Sequence, residues 1–162
     1  MQGINIREAD FARDRPAMLS FIMGSQHYEH AIEPNRRLDP PVAGEHLARL
    51  TKYLEEHEGR IFIAEDADGA ALGWGVVGAY AGEVFIVPEE RNYAYIFELF
   101  VVEAMRGKGI GRALIAACED WAKTKDFKTI LIGVLAGNTN AARLYRNAGY
   151  ADTAIELKKY LR

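Results

Sequence analysis

The residues with the clearest chemical potential form one glycine-rich segment, Arg106-Gly107-Lys108-Gly109-Ile110-Gly111. An apolar run over residues 95–102 precedes it, and a segment with helical periodicity follows it. The first N–H groups of a helix have no intrahelical partners, and the helix dipole gives this end roughly +0.5 of a charge. Glycines let a phosphate approach the main chain closely. The segment therefore predicts an anion-binding loop at a strand-to-helix junction.

Two common phosphate-binding patterns fit this loop poorly. In a Walker loop the Gly-Lys pair is followed by serine or threonine, whereas Gly107-Lys108 is followed by Gly109. A dinucleotide-binding loop has the spacing Gly-x-Gly-x-x-Gly in a first βαβ unit, with an acidic residue at the end of a strand ~20 residues later. Here the glycines alternate, the loop lies more than a hundred residues into the chain, and no acidic residue ends a strand at that distance. Both nucleotide-binding patterns are therefore disfavoured.

A third pattern, Arg/Gln-x-x-Gly-x-Gly/Ala between a strand and a helix, is satisfied by Arg106, Gly109 and Gly111. Downstream, the spacing Asn-x-x-Ala-x-x-x-Tyr-x-x-x-Gly-Phe/Tyr is satisfied by Asn138, Ala141, Tyr145, Gly149 and Tyr150. The two segments, in this order and with a helix and a strand between them, resemble the GNAT superfamily of N-acetyltransferases. The resemblance covers about residues 61–160.

The resemblance implies both a cofactor and a way of binding it. In this superfamily two paired strands splay apart, and the pantetheine arm of acetyl-CoA inserts between them through main-chain hydrogen bonds. Phe100, Val101 and Val102 match that strand, and Asn138 matches a residue that hydrogen-bonds the arm. Asn138 is also suited to cap the helix that follows it. The pyrophosphate is expected on main-chain N–H groups of the loop, which comprises Arg106, Gly107, Lys108, Gly109, Ile110, Gly111 and Arg112.

Acetyl transfer to an amine requires a neutral amine, a donor for the tetrahedral oxyanion and a proton for the departing thiolate. Glu98 is the candidate base, because it interrupts an otherwise apolar strand where a carboxylate is costly to bury. An arginine ion pair or a place at the sheet edge is the structural alternative. Tyr145 is the candidate acid, since many members of the superfamily place a tyrosine hydroxyl near the cofactor sulfur. Helical periodicity with Ala141 and Leu144 also predicts that Tyr145 is partly buried.

Other reactive side chains are assigned structural roles. Cys118 lies among apolar helix positions, so we expect a buried thiol, and direct transfer instead of an acyl-enzyme. The histidines share the N-terminal helical region without the partners that a metal site needs, so we expect solvated side chains and no metal; they are His27, His30, His46 and His57. By the resemblance, residues 26–30 are suited to line the acceptor pocket, and the further acceptor candidates are Tyr80, Glu83, Tyr93 and Tyr95.

Hydrophobic periodicity predicts helices over residues 14–28, 42–57, 110–125 and 140–147. Strands are predicted over residues 4–6, 61–64, 71–80, 95–102 and 129–135, with a final extended segment over residues 150–160. Residues 84–87 fit either a strand or a loop. The expected fold is α/β (α+β), which by the resemblance means a mixed, mostly antiparallel central sheet of about six to seven strands with helices on both faces. The length predicts one domain over residues 1–162.

Composition narrows the functional classes. A net charge of −3, with 27% charged and 49% hydrophobic residues, is typical of a soluble protein and argues against nucleic acid as a partner. A single cysteine excludes an internal disulfide, and without a signal peptide or a membrane-spanning segment we expect a cytoplasmic protein that binds no membrane.

The resemblance implies an acetyl-CoA-dependent N-acetyltransferase that acts on a primary amine of a small molecule or peptide. The alternative is a non-catalytic acyl-CoA-binding or sensor domain of the same fold, and a nucleotide-binding module is a more distant one. The sequence leaves the acceptor, the preferred acyl chain and the oligomeric state open, although a C-terminal strand is compatible with pairing across a homodimer.

Overall fold

The computed structural model describes residues 3–161 as alternating helices and strands. The strands are β1 (Asn5–Glu8), β2 (Gly59–Glu65), β3 (Ala71–Ala81), β4 (Asn92–Val101) and β5 (Ile130–Ile132). The helices are α1 (Phe11–His30), α2 (Pro41–Glu56), the single turn α3 (Pro88–Arg91), α4 (Ile110–Thr124) and α5 (Thr139–Asn147). A short 3-10 turn, Glu103–Met105, connects β4 to the glycine loop. None of these helices combines the length and the apolar content that a bilayer crossing requires.

The strands form a single sheet in the order β1-β2-β3-β4-β5. Neighbouring strands are antiparallel except for β4 and β5, which are parallel. Helices α1 and α2 cover one face, where Met18 and Leu47 pack with Trp74. Helix α4 covers the other face, where Cys118 and Trp121 pack against β3 and β4. The predicted mixed, mostly antiparallel sheet with helices on both faces is confirmed.

The sheet has five strands in the described chain, fewer than the expected six to seven. The predicted strand over residues 129–135 shortens to three residues, and residues 84–87 form a turn and a bend. Residues 151–161 form no strand and are exposed throughout, and Leu157 is 90% exposed. The alternation of apolar residues in this C-terminal segment suits a strand, but residues 151–161 make no strand pairing within the part of the chain that the structure describes.

A bulge in β4 reverses the direction in which its side chains point. Val76 lies opposite Glu98 and Val77 lies opposite Ile96, so Phe97 is an extra residue between two regular halves. Bulges of this kind re-aim side chains. Ile96 therefore faces α4, whereas Glu98 shares the α1 and α2 face with Val76.

A buried ion pair ties β1 to the start of α1. The guanidinium of Arg7 donates two hydrogen bonds to Asp14, with N–O distances of 2.6 and 2.8 Å, and a third to Glu65 at 2.7 Å. Asp14 is only 4% exposed and also accepts from the main-chain N–H of Asp10. The Arg7 guanidinium holds the pKa of Asp14 below its ordinary 3.8.

Replacing Asp14 with alanine is expected to lower the free energy of unfolding by about 3 kcal/mol. This is the lower end of the range for broken buried ion pairs, because Arg7 retains its hydrogen bond to Glu65. Since the folded-state pKa is depressed, the wild-type stabilisation is present above the ordinary pKa of the carboxyl and is lost as the pH falls through the lower value. Urea unfolding at neutral and acidic pH measures both effects. Asp68→Ala, in an exposed turn, is the matched control. Equal unfolding midpoints for the two variants at neutral pH would contradict the assignment.

Candidate active site

One cavity of about 600 Å³ lies where β4, the glycine loop, α1 and α5 meet. It brings together most of the residues that the sequence analysis selected. Its walls include Glu98, Phe100, Val101, Arg106, Gly107, Gly109, Ile110, Gly111, Arg112, Asn138 and Tyr145. Two selected residues, Val102 and Lys108, do not line it, and the Lys108 ammonium lies beside the Met105 sulfur on the exposed side of the loop.

The glycine loop ends at the N-terminus of α4, as the sequence predicts. Gly109 is the N-cap residue and has a φ of +85°, in the left-handed region that side chains with a Cβ rarely adopt. Gly107 has a φ of +75°. The main-chain N–H groups at the start of α4 have no intrahelical acceptor, and Gly109 provides no side chain to cap them. The geometry therefore suits an anion on the cavity side of the loop.

Arg106 closes one end of the cavity. Its Nε donates a hydrogen bond of 3.0 Å to the carbonyl oxygen of Val101. Its guanidinium carbon lies 4.9 Å from the centre of the Tyr28 ring and 5.5 Å from that of Phe100. These contacts link the loop to β4 and α1, so Arg106 holds the cavity wall in place.

The edge of β4 beside the cavity is largely unpaired. Strand β5 pairs with β4 only at Ala94, Tyr95 and Ile96. Just after the end of β4, the main-chain N–H of Val102 donates to the carbonyl oxygen of Leu72 on β3, at 2.9 Å.

In an antiparallel strand, the N–H and C=O groups of successive residues point alternately to the two edges. Those of Phe100 and Val102 point towards β3, so those of Leu99 and Val101 point towards the cavity. The carbonyl of Val101, which accepts from Arg106, agrees with this phase. Of Phe100, Val101 and Val102, Val101 is therefore the residue whose main-chain groups face the cavity, beside those of Leu99, and its carbonyl oxygen also accepts from Arg106. Sequence alone does not give the hydrogen-bonding phase of a strand.

Glu98 has a partner that the sequence analysis missed. Nε2 of His46, on α2, lies 2.6 Å from Oε1 of Glu98, and the two side chains are 34% and 17% exposed. The hydrogen bond to Glu98 raises the pKa of His46 above its ordinary 6.5, although burial acts in the opposite direction. His46 was expected to be a solvated side chain, and a structural Glu98 was expected to reach the sheet edge or to pair with an arginine. One signal was available: His46 lies one turn before the buried Leu50, beside the apolar stripe of α2.

Tyr145 lies in the cavity wall and is 8% exposed. Burial raises the pKa of Tyr145 to about 12, and the nearby charges of Glu29 and Glu98 act in the same direction. The hydroxyl group therefore keeps its proton at neutral pH, as an acid for a leaving group must. Its partial burial agrees with the predicted apolar face of α5.

Asn138 is the N-cap of α5, where its side-chain oxygen accepts from the main-chain N–H of Ala141 at 3.2 Å. The hydroxyl of Tyr28 donates to the same oxygen at 3.4 Å. The capping role expected from the sequence is present. Within residues 3–161, the side-chain amide nitrogen of Asn138 has no protein partner, so it is available to the cavity.

The residues considered for an acceptor pocket divide into two groups. Within residues 26–30, Tyr28 and Glu29 line the cavity, whereas His27 is exposed. Tyr80, Tyr93 and Tyr95 do not line it. They form an aromatic cluster on the α2 side with Tyr53 and with Phe97, which does line the cavity. Glu83 is exposed in the loop after β3.

The buried thiol of Cys118 lies within α4, and burial raises its pKa to about 12. A thiol in this state is a poor nucleophile at neutral pH. Among the described residues, no three histidine, cysteine, aspartate or glutamate side chains come together as metal ligands.

A sheet that opens at one edge beside a glycine loop, with a carboxylate and a phenol in the same cavity, is the arrangement that the resemblance to the acetyltransferases implies. A sequence model of the acetyltransferase (GNAT) family matches residues 25–150, so the chain belongs to this family, as predicted. Aminoglycoside N(6')-acetyltransferase type 1 of Stenotrophomonas maltophilia is 26% identical over 113 residues, which cover 70% of this chain and 73% of that protein.

Solved structures show the same fold. A point mutant of the BH1408 protein from Bacillus halodurans matches with a TM-score of 0.80 and 19% identity, covering 98% of this chain and 99% of that one. A predicted acetyltransferase with acetyl-CoA from Clostridium acetobutylicum matches with a TM-score of 0.73 and 20% identity, covering 97% and 96%. The expected fold and the expected class of N-acetyltransferase are confirmed.

Proposed function

We propose that this chain uses acetyl-CoA to acetylate a primary amine of a small molecule or peptide by direct transfer. The observation that carries the proposal is the convergence of Glu98 and Tyr145 on the cavity that the glycine loop borders. A binding or sensor domain needs the loop and the open strand edge, but it has no use for a base and an acid beside them. The arrangement therefore favours catalysis over the non-catalytic alternative.

The donor fits the cavity through groups already present in the chain. Main-chain N–H groups at the start of α4 would hold the pyrophosphate, with Gly109 allowing close approach. The main-chain groups of Leu99 and Val101 would pair with the amides of the pantetheine arm, together with the Asn138 side chain. When bound, acetyl-CoA supplies an activated thioester.

The acceptor side of the cavity carries negative charge. Glu29 and Glu98 both line it, and the negative charges of both raise the pKa of Tyr145. An amine with a pKa of ~10 arrives as an ammonium ion at neutral pH, so carboxylates attract it and one of them must take its proton. Glu98 would accept that proton, and the neutral nitrogen would then attack the thioester carbonyl. As the C–S bond breaks, Tyr145 would give its proton to the departing thiolate. The second proton that the nitrogen loses on forming the amide would return to the Tyr145 phenolate.

Binding and turnover test the proposal separately. Calorimetry with acetyl-CoA, CoA and ATP should show binding of the two CoA compounds only. A thiol-release assay with spermidine, kanamycin, lysine and a peptide with a free α-amine should then show acetylation of at least one amine. Tight ATP binding without CoA binding would contradict the donor assignment, and CoA binding without any turnover across a broad amine panel would favour a sensor domain.

Replacing Tyr145 with phenylalanine is expected to lower kcat about tenfold, less than the ~100-fold typical of general acids, because a thiolate leaves readily without full protonation. The Kd for acetyl-CoA should not change, since the ring remains. The thiol-release assay and calorimetry measure the two quantities. Tyr150→Phe is the matched control, because its ring packs 6.3 Å from that of Tyr145 but lies outside the cavity lining. Equal kcat values for the two variants would remove Tyr145 as the acid.

Other features remain predictions from the sequence. They are a single domain over residues 1–162, a cytoplasmic location and a homodimer formed through the C-terminal segment. Size-exclusion chromatography with light scattering tests the last of these directly.

A further inference from the structure

The contact between His46 and Glu98 joins two elements that are far apart in sequence. The bulge at Phe97 turns Glu98 towards α2, and α2 brings His46 within 2.6 Å of its Oε1 atom. The second carboxylate oxygen of Glu98 has no protein partner within residues 3–161, and Glu98 lines the cavity. One oxygen is therefore fixed by the imidazole while the other is left for an acceptor.

The charged and titratable groups around the pair come from α2, β4, α5 and α1, and three arginines also line the cavity, Arg106, Arg112 and Arg143. The charge of Arg49, one turn further along α2, lowers the pKa of His46, whereas Glu98 on β4 raises it. Tyr145 from α5 and Glu29 from α1 lie across the cavity. Tyr95 of β4 also raises the pKa of Tyr145. Histidine is the side-chain type in this set whose ordinary pKa lies near neutral pH, and burial raises the pKa values of Tyr145 and Tyr95 further above it.

We infer that His46 is a positioning residue for the base: its ring fixes Glu98 beside the acceptor, and its loss of a proton frees that carboxylate to deprotonate the ammonium ion. The inference rests on the proposed function. When His46 is an imidazolium ion, Glu98 is held in an ion pair, and the imidazolium ion competes with the ammonium ion of the acceptor for the carboxylate. When His46 is neutral, its Nε2–H still orients the carboxylate without an opposing charge.

The sign of the pH dependence follows from the direction of the shift. The hydrogen bond to Glu98 raises the pKa of His46 above 6.5, so the imidazolium ion persists to higher pH than in an ordinary histidine. The rate of acyl transfer should therefore rise as the pH passes through this raised value. The acceptor amine adds a second rise at its own pKa.

Two substitutions separate orientation from charge. Glutamine at position 46 keeps an N–H group near Nε2 but carries no charge, whereas alanine removes both. We expect the kcat of His46→Gln to stay within about threefold of the wild-type value at alkaline pH. The rise in rate at the pKa of His46 should be absent from its pH profile. We expect His46→Ala to fall about tenfold at every pH, because small displacements of a catalytic group are costly. His57→Gln is the matched control, since His57 is an exposed residue at the end of α2 whose ring stacks on Tyr53.

Rates should be measured from pH 5.5 to 9.5 with two amines of the panel that differ in pKa and are both acetylated. A step that belongs to His46 stays at the same pH for both amines, whereas the amine's own step moves. In parallel, NMR titration of the imidazole signals should show His46 with a raised pKa that falls in Glu98→Gln.

The outcomes are distinguishable. A wild-type chain that binds acetyl-CoA but acetylates no amine overturns the proposed function and with it this inference. An active wild-type enzyme whose pH profile is unchanged in His46→Gln overturns the inference alone, as does a His46 pKa that is the same in wild type and Glu98→Gln.

Discussion

Replacing Gly109 with valine is expected to raise the Kd for acetyl-CoA at least about a hundredfold, a loss of ~2.7 kcal/mol. Gly109 has a φ of +85° at the N-cap of α4. A β-branched residue in this conformation costs about 1–3 kcal/mol, so the loop shifts away from it. That shift moves the free N–H groups of α4, and the new side chain crowds the place where a phosphate would lie. Calorimetry with acetyl-CoA measures the loss.

A matched control separates the effect of backbone strain on stability from the effect of the substitution on acetyl-CoA binding. Gly69 has a φ of +80° in the exposed turn between β2 and β3, away from the cavity lining. Gly69→Val should therefore lose a similar amount of stability and bind acetyl-CoA normally. Because Gly109 is exposed, its own variant should keep the wild-type circular dichroism spectrum. Normal affinity in a folded Gly109→Val protein would show that the loop does not hold the cofactor.

Replacing Glu98 with glutamine is expected to lower kcat roughly a hundredfold at pH 7, the usual contribution of a general base. Glutamine keeps the shape of the side chain and still accepts a hydrogen bond from His46, but its amide does not take up the proton of the ammonium ion. The deficit should shrink as the pH approaches the pKa of the amine, where the free amine no longer needs a base. Rates measured from pH 6 to 10 in the thiol-release assay test this.

The Kd for acetyl-CoA should be the same in Glu98→Gln and the wild type, since the change lies on the acceptor side. Glu103→Gln is the control, because Glu103 is an exposed carboxylate in the turn before the glycine loop. It should leave both kcat and the pH profile unchanged. A Glu98→Gln enzyme with the wild-type profile would remove Glu98 as the base and leave it a structural partner of His46.

The parts of the site that follow from local patterns could be predicted. The glycine loop, the helix after it and the capping residue Asn138 each depend on a few adjacent residues, and the structure has all three. The helices over residues 14–28 and 42–57 are present with slightly different bounds, because their apolar stripes are regular. Glu98 could be selected because a charge in an apolar strand is conspicuous.

The parts that depend on long-range pairing could not be predicted. Nothing near Phe97 marks it as a bulge, because Glu98 and the apolar residues around it suit either phase. The partnership with His46 joins positions 46 and 98, and it requires knowing which face of α2 meets which face of β4. The number of strands was overestimated because alternation predicts a strand without showing whether a neighbour exists. These properties depend on the whole sheet, so a single sequence window does not contain them.

The short pairing between β4 and β5 has a consequence beyond catalysis. Strand β5 leaves β4 after Ile96, so the main-chain groups of Leu99 and the N–H of Val101 form an open sheet edge beside the cavity, whereas the Val101 carbonyl is covered by Arg106. An edge of this kind also accepts an extended segment of another chain, which is the first step of aggregation. A cofactor that pairs with this edge would cover it and so oppose self-association. The tendency of the purified protein to aggregate is then expected to fall as the fraction of protein with bound cofactor rises.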